Sequence, residues 1–213
     1  MSTVRLHNLV THTTALGPGT RMVIWFQGCL RRCPGCMSPA SRPLEGGTVW
    51  ELEDLIETVC RTKDIEGITV SGGEPFLQPE ALCRLLKAVR QRTDLGVIIY
   101  TGNTMEELRR TENPQILEIV DSLADLIIDG EYVDALNDGS SLKGSSNQTV
   151  HYITTRYLPH RELYEGKSRD IQIFISGRDA FLVGVPYRET LETWKEATRR
   201  MAEETEEPPG EIR

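Results

Sequence analysis

Arg21-Met22-Val23-Ile24-Trp25-Phe26-Gln27 runs without a break into Gly28-Cys29-Leu30-Arg31-Arg32-Cys33-Pro34-Gly35-Cys36. The apolar run of residues 21–27 predicts a strand. The glycine and the Pro-Gly pair then turn the chain, so that three cysteines spaced C-x3-C-x2-C leave one strand end on a single short loop. A strand ending in a chemically loaded loop is the unit from which parallel α/β domains build their sites, which lie at the C-terminal strand ends.

The same unit recurs downstream. Gly67-Ile68-Thr69-Val70-Ser71 predicts a strand that leads into Gly72-Gly73-Glu74-Pro75. Val97-Ile98-Ile99-Tyr100 leads into Thr101-Gly102-Asn103, and Asp125-Leu126-Ile127-Ile128-Asp129 into Gly130. Between them lie helical patterns. Thr48-Val49-Trp50-Glu51 has the spacing of a capping box opening a helix with Leu52, Leu55, Ile56 and Val59 on its apolar face. Pro79 starts a helix carrying Leu82, Leu85, Leu86 and Val89. Thr104 and Glu107 form another capping box, and Leu117, Val120 and Leu123 continue at helical spacing. Four polar or glycine-rich loops therefore share one face of a predicted parallel sheet, where glycines let backbone approach a ligand closely. Further on, Ile171–Ser176 and Ala180–Val185 read as a strand pair joined around Gly177-Arg178-Asp179. Residues 188–204 read as a charged amphipathic helix, and Glu206-Glu207-Pro208-Pro209-Gly210 begins a tail, 206–213, expected to be disordered.

At 213 residues the chain suits one domain, 1–205. It is shorter than the about 250 residues of a full eightfold barrel. A formal net charge of -8 argues against general nucleic-acid binding, which needs a basic footprint. No apolar stretch approaches a membrane span, and Met1–Leu6 has no apolar signal core, so the expected compartment is the cytoplasm.

Three of the five cysteines, Cys29, Cys33 and Cys36, are clustered, which in a reducing compartment favours a metal over disulfides. Three thiolates are one short of the four that an ordinary iron–sulfur cluster takes from its protein, and they leave one coordination position open. A zinc site completed by His7, His12 or His151 is the plainer alternative, although none lies near the cysteines in sequence. Cys60 and Cys83, alone within helical patterns, read as small packing residues. Arg31 and Arg32 read as a solvated surface pair, with steering of an acidic partner as the alternative. His151 and His160 read as structural or surface groups.

Gly17-Pro18-Gly19-Thr20-Arg21, Phe26-Gln27-Gly28-Cys29 with Cys33 and Cys36, and Ser71-Gly72-Gly73-Glu74-Pro75 resemble the radical S-adenosylmethionine (radical SAM) superfamily. Within it they are most similar to the activating enzymes of glycyl-radical enzymes, both the pyruvate formate-lyase and the anaerobic ribonucleotide reductase groups. Cys33-Pro34-Gly35-Cys36, Tyr100-Thr101-Gly102, Ile128-Asp129-Gly130 and Gly144-Ser145-Ser146-Asn147-Gln148 favour the reductase group. The resemblance covers roughly residues 15–155 and leaves 156–205 as an extension.

The resemblance implies an α/β fold of the partial, open (β/α)6-like barrel kind, with parallel strands and a C-terminal strand pair plus helix. It implies a [4Fe–4S] cluster held through Cys29, Cys33 and Cys36, with SAM chelating the fourth iron. Gly72, Gly73 and Glu74 would recognise the SAM amino group, Thr101 and Asp129 would lie beside its ribose or methionyl part, and Asn147 and Gln148 would bind SAM or line the mouth. Gly35 stands where many relatives carry an aromatic residue, and Glu131 where they often carry a lysine. The implied activity is reductive SAM cleavage followed by hydrogen abstraction from a polypeptide, with a flavodoxin or ferredoxin as electron donor. The substrate expected from the short chain is a glycyl-radical enzyme. The alternative is a ribosomally made peptide or a small molecule, which the unmatched segment 156–213 keeps open.

Overall fold

A computed structural model describes residues 2–139, 142–176 and 179–206. Its elements in chain order are β1 (Thr3–Thr13), β2 (Arg21–Phe26), β3 (Thr48–Glu51), α1 (Leu52–Arg61), β4 (Gly67–Gly72), α2 (Pro79–Arg92), β5 (Gly96–Tyr100), α3 (Met105–Arg110), α4 (Pro114–Glu118), β6 (Leu126–Asp129), β7 (Thr149–Tyr152), α5 (Glu162–Glu165), β8 (Ile171–Ser176), β9 (Asp179–Gly184) and α6 (Arg188–Glu206). Seven strands form one sheet in the order β3-β1-β2-β4-β5-β6-β7. Its centre is parallel, β2 to β4 to β5 to β6. Antiparallel strands border it: β1 and β3 beyond β2, and β7 beyond β6. The protein is thus a mixed α/β structure around a parallel centre, as its alternating patterns predict. The turn at Gly177-Arg178 and residues 207–213 of the expected tail lie outside the described residues, while α6 itself runs to Glu206.

The reading of Thr48–Glu51 as a helix cap is corrected. These residues are strand β3, paired Thr48 to Leu6 and Glu51 to Thr3, so their backbone groups belong to a ladder with β1. Helix α1 starts after them, with no side-chain cap from Glu51. The second capping box does form: Thr104 accepts from the Glu107 N–H, and the Glu107 carboxylate accepts from the Thr104 N–H. Strands β1 and β7 were not anticipated from the sequence.

Both faces of the central strands are buried, and alternate residues divide between two cores. Met22, Ile24 and Phe26, with Ile68, Val70, Val97 and Ile99, meet Leu52, Leu55, Val59, Leu82, Leu85 and Leu86 of α1 and α2. Cys83 is buried on this helical side and Cys60 packs against it, as expected of small packing residues. The opposite face carries Val23 and Trp25, which meet Ala15, Leu16, Val183 and Val185, and carries Ile98, Leu126 and Ile128, which meet Leu142, Tyr157 and Tyr164. Residues beyond 156 therefore cover the sheet face that the helices leave open. Gln172 of β8 pins this cover, accepting from the Thr13 hydroxyl and, at 3.1 Å, from the Thr14 N–H. Among the described residues no helix is long and apolar enough to cross a membrane.

Candidate functional site

The four predicted strand-end loops meet at one cavity of about 590 Å³, over the sheet face opposite α1 and α2. Cys29, Cys33 and Cys36 line it together with Gly72, Gly73, Glu74, Thr101, Gly130 and Gln148. Asp129 and Asn147 do not line it. They border an adjoining groove with Thr104, Glu107, Glu131 and His151.

The cysteine loop is tied to the Gly-Gly-Glu turn by backbone. The Gly73 N–H donates to Phe26 O (2.8 Å) and the Glu74 N–H to Gly28 O (2.8 Å). A Cβ at Gly73 would overlap Gly28 O and crowd Ser41 O, and Gly72 holds a left-handed φ of 112° directly against the Phe26 backbone. Only glycine permits so close an approach. Gly73→Ala is therefore expected to force the two loops apart. Reconstituted protein should then hold its iron at least about tenfold more weakly in competition with a chelator, the scale on which disturbing a metal ligand's support acts. An affinity equal to that of the unmodified chain would refute this.

Glu74 is nearly fully buried, and burial pushes its carboxyl above the usual carboxylate range. Its oxygens nevertheless accept from Thr101 Oγ1 (2.8 Å), Gly102 N (2.9 Å) and Phe76 N (3.1 Å). The carboxylate thereby joins the loops after β4 and β5. Gln148 spans its own loop in the same way, accepting from Gly144 N and donating to Gly130 O, both at 2.8 Å. Asp129 accepts from Met105 N (2.6 Å), and His151 Nε2 lies 3.0 Å from it, outside hydrogen-bond geometry. Asn147 donates to Glu131 O (2.8 Å).

Arg31 and Arg32 are not a matched surface pair. Arg32 is exposed, whereas Arg31 is half-buried and donates to Glu107 Oε2 (2.7 Å) and Asn103 Oδ1 (3.0 Å). Its other terminal nitrogen stands 3.7 Å from Glu131. Glu131 thus has its counter-charge on the cysteine loop itself.

The three thiols are free and partly buried. Burial, and then the adjacent Glu131 carboxylate, push the Cys33 thiol up to about 11; burial also raises Cys29. Among the described residues no group of three or more His, Cys, Asp or Glu side chains is gathered as around a single ion, so the zinc alternative gains no support from His7, His12 or His151. Three thiols lining one cavity are a donor set that fits an iron–sulfur cluster with one position left over.

Sequence reading did not locate the rest of the wall. Phe181, Leu182 and Val185 on and just after β9, and Leu191, Trp194, Lys195 and Thr198 on α6, line the same cavity. The Phe181 ring meets Trp25 edge-on at 5.0 Å. The spacing of Leu191, Trp194, Lys195 and Thr198 is one helical face, and a tryptophan within a charged helix was the available signal.

A family described as "4Fe-4S single cluster domain" matches residues 15–151. The chain is 31% identical over 159 residues to the anaerobic ribonucleoside-triphosphate reductase-activating protein of Salmonella typhimurium, covering 70% of this chain and 99% of that one. It is 33% identical over 146 residues to the protein of the same name from Escherichia coli, covering 64% of this chain and 91% of the relative. It is also 32% identical over 123 residues to the pyruvate formate-lyase-activating enzyme of Clostridium pasteurianum, covering 54% of this chain and 52% of that enzyme. The matched span coincides with the stretch on which the sequence resemblance rests.

Proposed function

Because the chain belongs to the radical SAM activating enzymes of glycyl-radical enzymes, with a [4Fe–4S] cluster and SAM as its cofactors, we propose that it installs the radical on a backbone glycine of an anaerobic ribonucleoside-triphosphate reductase. The observation that carries this reading is the single cavity shared by three cysteines, the Gly-Gly-Glu turn and the loops after β5 and β6. When bound, the cofactor pair supplies a 5′-deoxyadenosyl radical, by one-electron cleavage of the SAM sulfonium bond.

In this reading Cys29, Cys33 and Cys36 would hold the cluster and leave one position on it for SAM. Gly72, Gly73, Glu74, Thr101 and Gln148 wall the SAM site. Glu74 is already braced by Thr101 and Gly102, so it contributes chiefly a fixed negative charge near the SAM ammonium. Asp129 and Asn147, which face the adjoining groove, hold the loop that carries Gly130. The apolar wall of Trp25, Phe181, Val185 and Trp194 keeps water from a carbon radical. The extension after 156 thereby belongs to the same domain, 1–205, and forms the side from which the substrate glycine enters. We read the sheet as the partial, open (β/α)6-like barrel; its parallel centre and its unjoined margins, β3 and β7, support this. A flavodoxin or ferredoxin is the electron donor we favour, supported by Leu30 and Arg32 on the outer side of the cysteine loop. A cytoplasmic location accords with a partner of this kind.

The test is to reconstitute the chain anaerobically, reduce it, and mix it with SAM and the ribonucleotide reductase of the same organism. Production of 5′-deoxyadenosine together with a glycyl-radical signal in electron paramagnetic resonance (EPR) is expected. SAM cleavage with a short precursor peptide, and no glycyl radical on the reductase, would instead establish a peptide-modifying enzyme.

A further inference from the structure

Arg42 lines the cavity that holds the three cysteines, yet it makes no ion pair among the described residues. Its Nε is enclosed and has no hydrogen-bond partner. An enclosed guanidinium N–H left unpaired costs free energy and normally indicates a group it is built to meet. The other cations along the cavity differ. Arg31 is spent on Glu107, Asn103 and Glu131, and Lys195 stands exposed at the rim on α6.

The backbone around Arg42 is pinned to the cysteine loop. The Cys29 N–H donates to Arg42 O (2.9 Å) and the Gly28 N–H to Ser41 O (2.8 Å). From below, the buried Gln27 side chain donates to Pro43 O (2.6 Å) and Ala40 O (3.3 Å). These bonds fix the Arg42 backbone beside the cysteine loop. Arg42 and Cys29 thus stand side by side on the wall of one cavity.

We propose that Arg42 is a positioning residue for the Cys29 corner of the cluster, where its fixed positive charge and free Nε–H raise the reduction potential. Reduction adds one electron to a group already made anionic by three thiolates, and a nearby cation stabilises the more negative state. Arg42 thereby eases the electron transfer that must precede SAM cleavage. The proposal rests on the cluster assignment and not on the identity of the protein substrate. Its test therefore uses the reconstituted chain alone, and a failed reductase assay leaves it standing.

The experiment is an EPR-monitored redox titration with dithionite, without SAM, on the unmodified chain and on Arg42→Met and Arg42→Lys, each normalised to its iron content. Arg42→Met should lower the ratio of reduced to oxidised cluster about tenfold at a given poise, equivalent to a midpoint about 59 mV more negative for a one-electron couple. Arg42→Lys, which keeps charge but not the Nε–H, should shift it in the same direction by less. If Arg42→Met does not hold a cluster, Arg42→Lys is decisive: a lowered ratio supports the proposal, and an unchanged one overturns it. An unchanged midpoint in Arg42→Met also overturns it. SAM binding, measured by the change in the EPR spectrum on titrating SAM, separates one such result: weaker SAM affinity at an unchanged midpoint assigns the guanidinium to an anionic group of SAM instead.

Discussion

Cys33→Ala is expected to abolish SAM cleavage, with a loss of more than about two orders of magnitude, and to leave the protein folded. Changing groups that merely support a metal ligand costs roughly 10–100-fold, and removing a ligand exceeds that. No spare thiol can take its place. Cys60 and Cys83 lie on α1 and α2 against the helical core, on the far side of the sheet from the cavity. The same loss is expected for Cys29→Ala and Cys36→Ala, whereas Cys60→Ala should retain activity and iron close to the unmodified level. Iron and sulfide content, the EPR signal of the reduced protein and 5′-deoxyadenosine yield measure all four variants. Retention of wild-type iron and SAM cleavage by Cys33→Ala would remove the basis for the cluster assignment.

Local sequence announced the centre of this fold well, and its margins poorly. Strands β2, β4, β5 and β6 are apolar on consecutive residues because both faces are covered, and such runs stand out from their surroundings. Strand β1 has an alternating start, Val4 and Leu6 inward, but register shifts after Leu6 and after Val10 break the period. Strand β7 is four partly exposed residues at an edge, too short to show a period. Thr48–Glu51 shows how a local signal loses to a tertiary one: the Thr-x-x-Glu spacing is that of a cap, but β1 offered the same backbone groups a ladder.

The site divides similarly. The cysteines and the Gly-Gly-Glu turn are contiguous motifs and were legible. Which side of a loop each polar residue faces depends on partners distant in sequence, such as Met105 for Asp129 and Glu131 for Asn147. The wall from β9 and α6 depends on how the extension folds back over Trp25, which no short-range pattern encodes.

The largest stability effect is expected at the far end of the same strand. Arg21 is fully buried and, among the described residues, has no carboxylate partner; its guanidinium donates to Thr69 Oγ1 (2.7 Å), Tyr157 OH (2.8 Å), Ile68 O (2.6 Å), Gly96 O (3.2 Å) and Pro18 O (3.3 Å). Its charge also lies over the Tyr157 ring, 5.3 Å from the centroid. A Cβ on Gly67 would collide with both terminal nitrogens, so the glycine leaves the space that the guanidinium fills. One side chain thus ties the N-terminal ends of β2, β4 and β5 to the segment that covers the cavity face. Arg21→Met removes the charge but leaves carbonyls and hydroxyls facing an apolar stem. Each buried acceptor left unpaired costs about 1–3 kcal/mol, so a total loss of about 3–5 kcal/mol is expected even if only two or three of the five stay unpaired. For a chain of this size that lowers the thermal midpoint by roughly 6–20 °C, at about 2–4 °C per kcal/mol. Arg61→Met, which removes an exposed i,i+4 pair with Glu57, should change the stability by less than about 1 kcal/mol. Because Arg21 lies at the strand ends opposite the cysteines, Arg21→Met molecules that remain folded at low temperature should still load iron normally. A thermal midpoint within about 2 °C of the unmodified chain, near the shift expected for 1 kcal/mol or less, would show that the five bonds do no more than offset the cost of burying the charge.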